Sequence, residues 1–492
     1  MKYIKNHAII IIFSIVIFVF SASLVQKSFQ NDTFFTIASG NKILSEGFYE
    51  DETFTWHEGL KYPNVRWIFD TITASMYNKF GFLGIYVFVM FMAGITGDII
   101  FFVFINKKVN VYMSFLYSIA MIFLIELFFA ARGQIISIPI FILEYYFLNA
   151  LLEKKQKRYI ILIFILAVLL ANAHASVFPM FFVIMAPYIA EIIVSKAKFI
   201  HFENTRIKVE TYAGSKYLII AFVISLFAGL IAPNHYIAYT DLFYTVGSIS
   251  SDFIAEMESL VVADEPFFVV MITIFISILL FFNNKIKLSD FLYIFGFTIL
   301  TISTLRSILY FFIFAGFSLA MMVNEVIEDR NLFSSVNNKS VKIVFTFLSI
   351  YIFVFSLNNF TSRIHVSYTN KDFCPVEVCD YILSELDTTN MKLYNTFGTG
   401  AYIEFRGIKC FMDSRAEIYL DRFNDTKVFS DMVELTNNPY YYETIFGRYG
   451  VTHVLIGRTD EMVRYMAEDE NYEALYEDEN YILFKRNVEE KV

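Results

Sequence analysis

The chain predicts a polytopic α-helical membrane protein of about eleven spans, N-terminus in and C-terminus out, followed by an extracytoplasmic α/β domain. Three observations lead there. Apolar stretches recur at lengths that cross a bilayer, basic residues occupy every second connection, and the last portion turns into a charged pattern of mixed strands and helices. Of 492 residues 57% are hydrophobic, with 58 Phe and 32 Tyr, which excludes a soluble globular protein of ordinary composition. The net charge of -9 is concentrated after residue 357, where about 14 basic side chains meet about 24 acidic ones, so the preceding part is close to neutral. No basic face is left for nucleic acid.

Taken in order, the candidate spans are 8–25, 82–106, 111–130, 134–152, 159–172, 176–194, 217–232, 266–282, 291–305, 307–325 and 343–357. Lys2 and Lys5 precede the first, and Lys107 with Lys108, then Lys154, Lys155, Lys157 and Arg158, mark later inner connections. Further inner connections carry Lys196, Lys198, Arg206, Lys208 and Lys216, then Lys285 and Lys287, then Arg330, Lys339 and Lys342. The segment 233–265 holds Asp241, Asp252, Glu256, Glu258, Asp264 and Glu265 and no Lys or Arg. Because cations near the membrane are retained on the inner face, this alternation puts the N-terminus inside and everything after residue 357 outside. The first span ends in Ser21-Ala22-Ser23, a pattern compatible with a cleavage site, but its apolar run is long enough to stay as an anchor.

Two domains follow: 1–357 in the membrane and 358–492 as a soluble outer domain. Within the first, 26–81 is a long outer loop with an interfacial helix from Trp67 to Phe80, and 233–265 is a second long outer loop. In the outer domain, strands are expected at Leu393–Thr396, Ala401–Phe405, Lys409–Met412, Thr452–Ile456, Ala474–Tyr476 and Tyr481–Phe484. Helices are expected at Glu377–Leu386, Thr426–Leu435, Tyr440–Tyr449 and Asp460–Glu468. Cys374, Cys379 and Cys410 all lie there; one disulfide is compatible with an oxidising compartment, its pairing unreadable, and one thiol is left over.

Polar groups kept beside hydrocarbon are candidates for chemistry. Asp32 stands among Phe34, Phe35 and Ile37 at the outer boundary, where solvation alone does not favour an acid. Asp51 is the second acidic candidate, whereas Glu52 and Glu58 read as loop-solvating charges. Arg132 and Arg306 are cations with apolar sequence on both sides, suited to gripping a phosphate with two N–H groups. Asn172 and His174 form a tight outer turn and read as site-lining, His174 as a hydrogen-bonder and not a metal ligand. Asp98, Glu126 and Glu144 within the spans support a competing transport reading. Asp413 and Arg415 read as a structural pair, and the Gly398-Thr399-Gly400 turn lacks the residues of a nucleotide-binding loop.

These residues, in this order, resemble the GT-C superfamily of membrane glycosyltransferases, which includes the protein O-mannosyltransferases and their bacterial relatives. The resemblance rests on a first span, an outer acid, Gly40, the stretch Asp51-Glu52-Thr53-Phe54-Thr55 and a helix from Trp67 to Gly81. Over its length the chain is similar to a bacterial subgroup sharing Arg132-Gly133-Gln134, Asn172-Ala173-His174, Pro233-Asn234, Glu256 with Glu258, Arg306, Gly400-Ala401-Tyr402 and Asp413-Ser414-Arg415. Thr33 follows Asp32 where O-mannosyltransferases carry a second acid. The resemblance implies a sugar donor carried on polyprenyl phosphate, a glycan or protein acceptor of the cell envelope, and contact with membrane lipid. It makes Asp32 the candidate base and adds Glu256 and Glu258 to the site lining. No nucleotide cofactor is expected outside the cell; a divalent metal at the leaving phosphate is compatible with the chemistry but has no readable ligand set. A flippase for a lipid-linked glycan and a noncatalytic envelope-assembly protein are the alternatives.

Overall fold

The computed structural model describes residues 2–197, 206–245, 248–264, 266–283, 285–329 and 338–487. The basic positions Lys198 and Arg330 and the acid Glu265 lie outside them. Each of the eleven apolar stretches is helical. Among the described residues seven helices are long and apolar enough to cross a membrane: His7–Leu24, Trp67–Asn106, Val111–Phe128, Gln134–Lys154, Ala175–Lys196, Leu305–Asp329 and Lys339–Ser362. The other four, Arg158–Ala173, Ser215–Ile231, Phe267–Phe282 and Leu288–Ser303, are apolar but shorter. Hydroxyl side chains in these helices are absorbed locally, as where Thr96 donates to the Met92 carbonyl at 2.9 Å and Ser118 to that of Ser114 at 2.7 Å.

The chain divides into two compact units. The first comprises Met1–Gln26, Tyr86–Tyr239 and Ile254–His365 and holds most of the helical bundle. We label its early helices α1 (Lys2–Leu24), then α4 (Val111–Ile125), α5 (Gln134–Lys154), α6 (Arg158–Ala173) and α7 (Phe178–Lys196), reserving α2 (Asn31–Glu46) and α3 (Trp67–Asn106) for helices that begin in the second unit. Aromatic rings fill the bundle interior: Tyr145 stacks on Phe317 at 5.0 Å and Tyr293 on Phe314 at 5.7 Å.

The second unit comprises Lys27–Ile85, Thr240–Phe253 and Val366–Val492. The first outer segment and the tail are therefore parts of one packed body. Its sheet has the strand order Leu393–Asn395, His453–Gly457, Tyr481–Arg486, Tyr472–Glu477, the first pair parallel and the others antiparallel. Four of the six expected strands and all four expected tail helices form, with ends shifted by a few residues. Two strands do not. Ala401–Phe405 is the helix Gly400–Phe405, because a helical turn buries Ala401, Tyr402, Ile403 and Glu404 together, and packing outweighs β propensity. Lys409–Met412 stays out of the sheet and makes a single bridge, Thr55 to Cys410, with the first outer segment.

That outer segment also holds a helix absent from the sequence reading. α2 places Asp32 in its first turn, where the helix N-terminus favours a negative charge. It lies against the start of α3 at Gly40, whose absent Cβ would stand 2.1 Å from the Asp70 carbonyl oxygen. α3 then bends at Gly81, which has φ +62°.

Candidate functional site

In the first unit, connections distant in sequence converge at the helix ends. Arg132, between α4 and α5, donates to Glu256 at 2.7 Å, so it is ion-paired and not the isolated cation its sequence surroundings suggest. The strap containing Glu256 and Glu258 is tied to the turn before Arg306: Leu305 N–H donates to the Glu258 carbonyl at 2.8 Å and Leu260 N–H to that of Ile302 at 3.2 Å. Arg306 is half-buried on this turn and forms no ion pair among the described residues. The α6–α7 turn joins the same neighbourhood as Arg132 through its next residue, since a Cβ on Gly133 would come within 3.0 Å of the His174 ring. His174 Nδ1 lies 3.2 Å from Ser137 Oγ, as expected of a hydrogen-bonder, and Asn172 donates to the Val168 carbonyl at 2.8 Å. Arg132, Asn172, His174, Glu256, Glu258 and Arg306 thus belong to one linked set of connections. What it offers chemically is two guanidinium groups, one already balanced by a carboxylate and one without an ion pair among the described residues.

The second unit holds Asp32. Its carboxylate is 3.9 Å from Arg66, which also reaches Asp70 at 3.5 Å and lies over the Phe35 ring at 5.2 Å. Asp70 is fully buried. Nothing in the sequence reading named Arg66 or Asp70, although their spacing of four on a helix start is the signal that would have found them. Asp51 is solvent-exposed and paired with Lys61 across a two-stranded bridge, the geometry of a surface ion pair.

A buried network anchors the tail beside this locus. Arg415, only 3% exposed, donates to Glu52, to Glu404 at 3.0 Å and through Nε to Asp413 at 2.9 Å. Three rings, Phe35, Tyr62 and Phe54, lie around the guanidinium at 4.1, 4.9 and 5.6 Å. The structural reading of Asp413 and Arg415 is right, but Glu52 is no loop-solvating charge: it is buried, with its partner 363 residues away. Burial pushes the Asp413 carboxyl up, yet Arg415 and a hydrogen bond from Tyr419 outweigh it and hold the group at about 2. Glu404 is raised well above the carboxylate range by burial and by the Asp413 charge.

Glu404, Cys410 and Asp413 present ligand atoms within 4.8 Å of one another. They do not suit a metal, because Asp413 already accepts from Arg415 and Tyr419, and burial pushes the Cys410 thiol well up, away from the thiolate a metal needs. All three cysteines are free and buried, so the disulfide compatible with the sequence is not formed.

Two further acids complete the second locus. Asp241, from the second outer segment, is buried, and its charge acts on the carboxyl of Glu417, two residues past Arg415. Burial first, then the Asp241 charge, push Glu417 up to about 7; Arg66 and Arg415 pull weakly the other way. The Tyr62 hydroxyl, on a side chain 1% exposed, has no hydrogen-bond partner among the described residues, and Asp70, Arg66 and Arg415 are among its charged neighbours.

No family model matches the chain, and no curated protein matches it. Solved structures do. The Archaeoglobus fulgidus oligosaccharyltransferase, tethered to an acceptor peptide with an NVT sequon, superposes with TM-score 0.57 at 11% identity, covering 95% of this chain and 71% of that one. ArnT from Cupriavidus metallidurans superposes with TM-score 0.51 at 9% identity in the apo state and 0.52 at 10% identity with undecaprenyl phosphate bound, each covering 98% of both chains. At such identities the likeness is one of architecture. The chain has the fold of the GT-C membrane glycosyltransferases.

Proposed function

We propose that the protein transfers a sugar from a polyprenyl-phosphate-linked donor to an envelope glycan or protein acceptor on the outer face of the cell membrane. The observation that carries this reading is the fold shared over 98% of the chain with ArnT, a protein seen with undecaprenyl phosphate bound. The oligosaccharyltransferase, seen with an acceptor peptide, supports the transferase class. Polarity agrees, since the connections that gather Arg132, Glu256, Glu258 and Arg306 are the ones the charge alternation assigns to the outer side.

In this reading Arg132 and Arg306 hold the donor phosphate, Arg306 having no ion pair to surrender first among the described residues. Asn172, His174, Glu256 and Glu258 line the donor side. Asp32 accepts the proton of the acceptor hydroxyl as its oxygen bonds to the sugar carbon, and the carbon–oxygen bond to phosphate breaks, releasing the polyprenyl phosphate. Attack opposite the leaving group inverts the sugar carbon. Asp51, exposed and paired with Lys61, is the reserve candidate.

The test uses membranes containing the full-length protein and a panel of polyprenyl-phosphate sugars. Asp32→Asn is expected to lower turnover roughly 100-fold with donor binding little changed, as for loss of a general base. Full transfer by Asp32→Asn would remove it from the mechanism. The transport reading keeps one observation in its favour: Glu144 is fully buried in α5 with neither carboxyl oxygen hydrogen-bonded among the described residues. Loss of lipid-linked glycan export in Glu144→Gln, with transfer intact, would favour it.

A further inference from the structure

We propose that the tail carries a sugar-binding site of its own, a cavity that takes one uncharged ring of an envelope glycan. Its part in transfer rests on the transferase reading above, which it deepens by making the acceptor a glycan; the binding itself does not. The cavity, of about 220 Å³, lies within the second unit, where the edge strand Leu393–Asn395, the helix Val428–Asn437 and the start of the helix Met462–Glu468 meet. Sites for drug-sized ligands run to roughly 300–1,000 Å³, so this one admits a group the size of a single ring.

Its polar groups come from three stretches of the tail, and the fold leaves them with bonding capacity to spare. Tyr394, 2% exposed, lines the cavity with its ring fixed against Phe411 and Phe446, centres 5.1 and 4.7 Å apart, and its hydroxyl makes no hydrogen bond among the described residues. A buried hydroxyl without a partner is costly, and a ligand that bonds to it removes that cost. One Asp460 oxygen accepts from Met462 N–H at 2.9 Å, while the other accepts nothing among the described residues. Thr436 donates to the Met432 carbonyl at 3.0 Å and keeps its lone pairs as acceptors. Glu461 and Thr396 complete the polar lining, and no Lys or Arg belongs to it among the described residues.

Met432, Leu435, Pro439 and Met462 supply the apolar wall. The residues that follow them put tyrosines at the surface. Tyr440 and Tyr441 come directly after Pro439, with ring centres 4.5 Å apart and exposures of 55% and 43%. Tyr465, also exposed, stands three residues after Met462 and so on the same side of its helix, which packs against Pro439–Tyr441. A tyrosine offers a flat apolar face and a polar tip at little cost in entropy, which matches a pyranose with its C–H face and ring of hydroxyls. Two carboxylates by themselves would suit a cation. An ammonium only donates, however, and gives the Tyr394 O–H nothing to donate to, whereas a sugar hydroxyl can donate to Asp460 and accept from Tyr394. The same carboxylates repel uronic acids and phosphates.

The experiment measures binding to the full-length protein in lipid nanodiscs, free of sugar-based detergent, by saturation-transfer difference NMR and thermophoresis. The probes are tetrasaccharides of glucose, mannose, galactose and N-acetylglucosamine, with tetragalacturonate and tetralysine as charged comparisons. At least one neutral probe is expected to bind, and tetragalacturonate to bind about 10-fold more weakly than it. Tyr440→Ala combined with Tyr441→Ala, and separately Asp460→Asn, should each weaken that binding about 10-fold. Because Tyr440 and Tyr441 are exposed, the double variant should keep the wild-type thermal midpoint, which separates lost binding from lost folding. No binding of any neutral probe, undiminished binding in either variant, or binding of tetralysine in place of the sugars overturns the proposal. Failure of the transferase reading shows separately, as no transfer by wild type with any donor while the sugar still binds.

Discussion

Arg415 is surrounded by Glu52, Glu404 and Asp413 and by three aromatic rings, so removing it strands buried carboxylates with no cation. Breaking such a network from one side costs about 3–5 kcal/mol. Arg415→Ala is therefore expected to lower the thermal midpoint of the full-length protein by several degrees, and Arg415→Lys to recover little, because an ammonium lacks the planar fork. A midpoint equal to wild type in differential scanning fluorimetry would refute this. The pairing of Asp413 with Arg415 was legible because the two are neighbours in sequence. The role of Glu52 was not, because its partner arrives from 363 residues away. Arg132 shows the same limit, since apolar neighbours announce a membrane-boundary cation but not the Glu256 that meets it.

At the scale of elements, α2 depends on a residue without a side chain. Gly40→Val would drive a branched side chain into the Asp70 carbonyl and into Ala74, displacing α2 and Asp32 with it. The expected outcome is loss of both transfer and stability, whereas Gly296→Ala, with open space around it, should be mild in the same melt and transfer assays. The tail is the second case. Alternating strand and helix patterns predict that residues 365–492 fold alone, but Arg415 takes Glu52, Phe35, Phe54 and Tyr62 from residues 27–85. Expressed alone, the tail is expected to show mixed α/β circular dichroism with a broad melt; a sharp, cooperative one would mean the sheet suffices without those partners.

For the whole molecule, charge alternation and acid stability give two checks. The natural cysteines are buried and serve poorly as reporters, so sidedness is read with introduced ones at exposed positions. Asp387→Cys should react with an impermeant maleimide in intact cells and Lys155→Cys should not; the reverse pattern would invert the topology. His57 is pushed down from 6.5 to about 4, chiefly by burial, partly offset by its 2.8 Å contact with the Phe411 carbonyl. The unfolded chain thus takes up a proton between those values that the folded chain refuses. The stability His57 contributes is complete above pH 6.5 and is lost as pH falls towards 4. Glu417 titrates in the opposite sense, so the measurement is the difference in thermal midpoint between wild type and His57→Gln, which should shift against wild type on going from pH 7.5 to pH 5.

Sequence alone determined the membrane class and the eleven apolar helices in their order, because a span must satisfy its backbone within itself and be apolar along its length, and both conditions are local. It also named Arg132, Arg306, Asn172 and His174, because a polar residue at a hydrocarbon boundary stands out against its neighbours. What only the tertiary structure decided is which distant groups meet. The strap at Glu256–Leu260 holds the turn before Arg306, Arg66 stands between Asp32 and Asp70, and the tail packs with the first outer segment around Arg415. The physical reason is that the strength of a charge–charge contact depends on separation and burial in space, and neither is written in the spacing of residues along the chain.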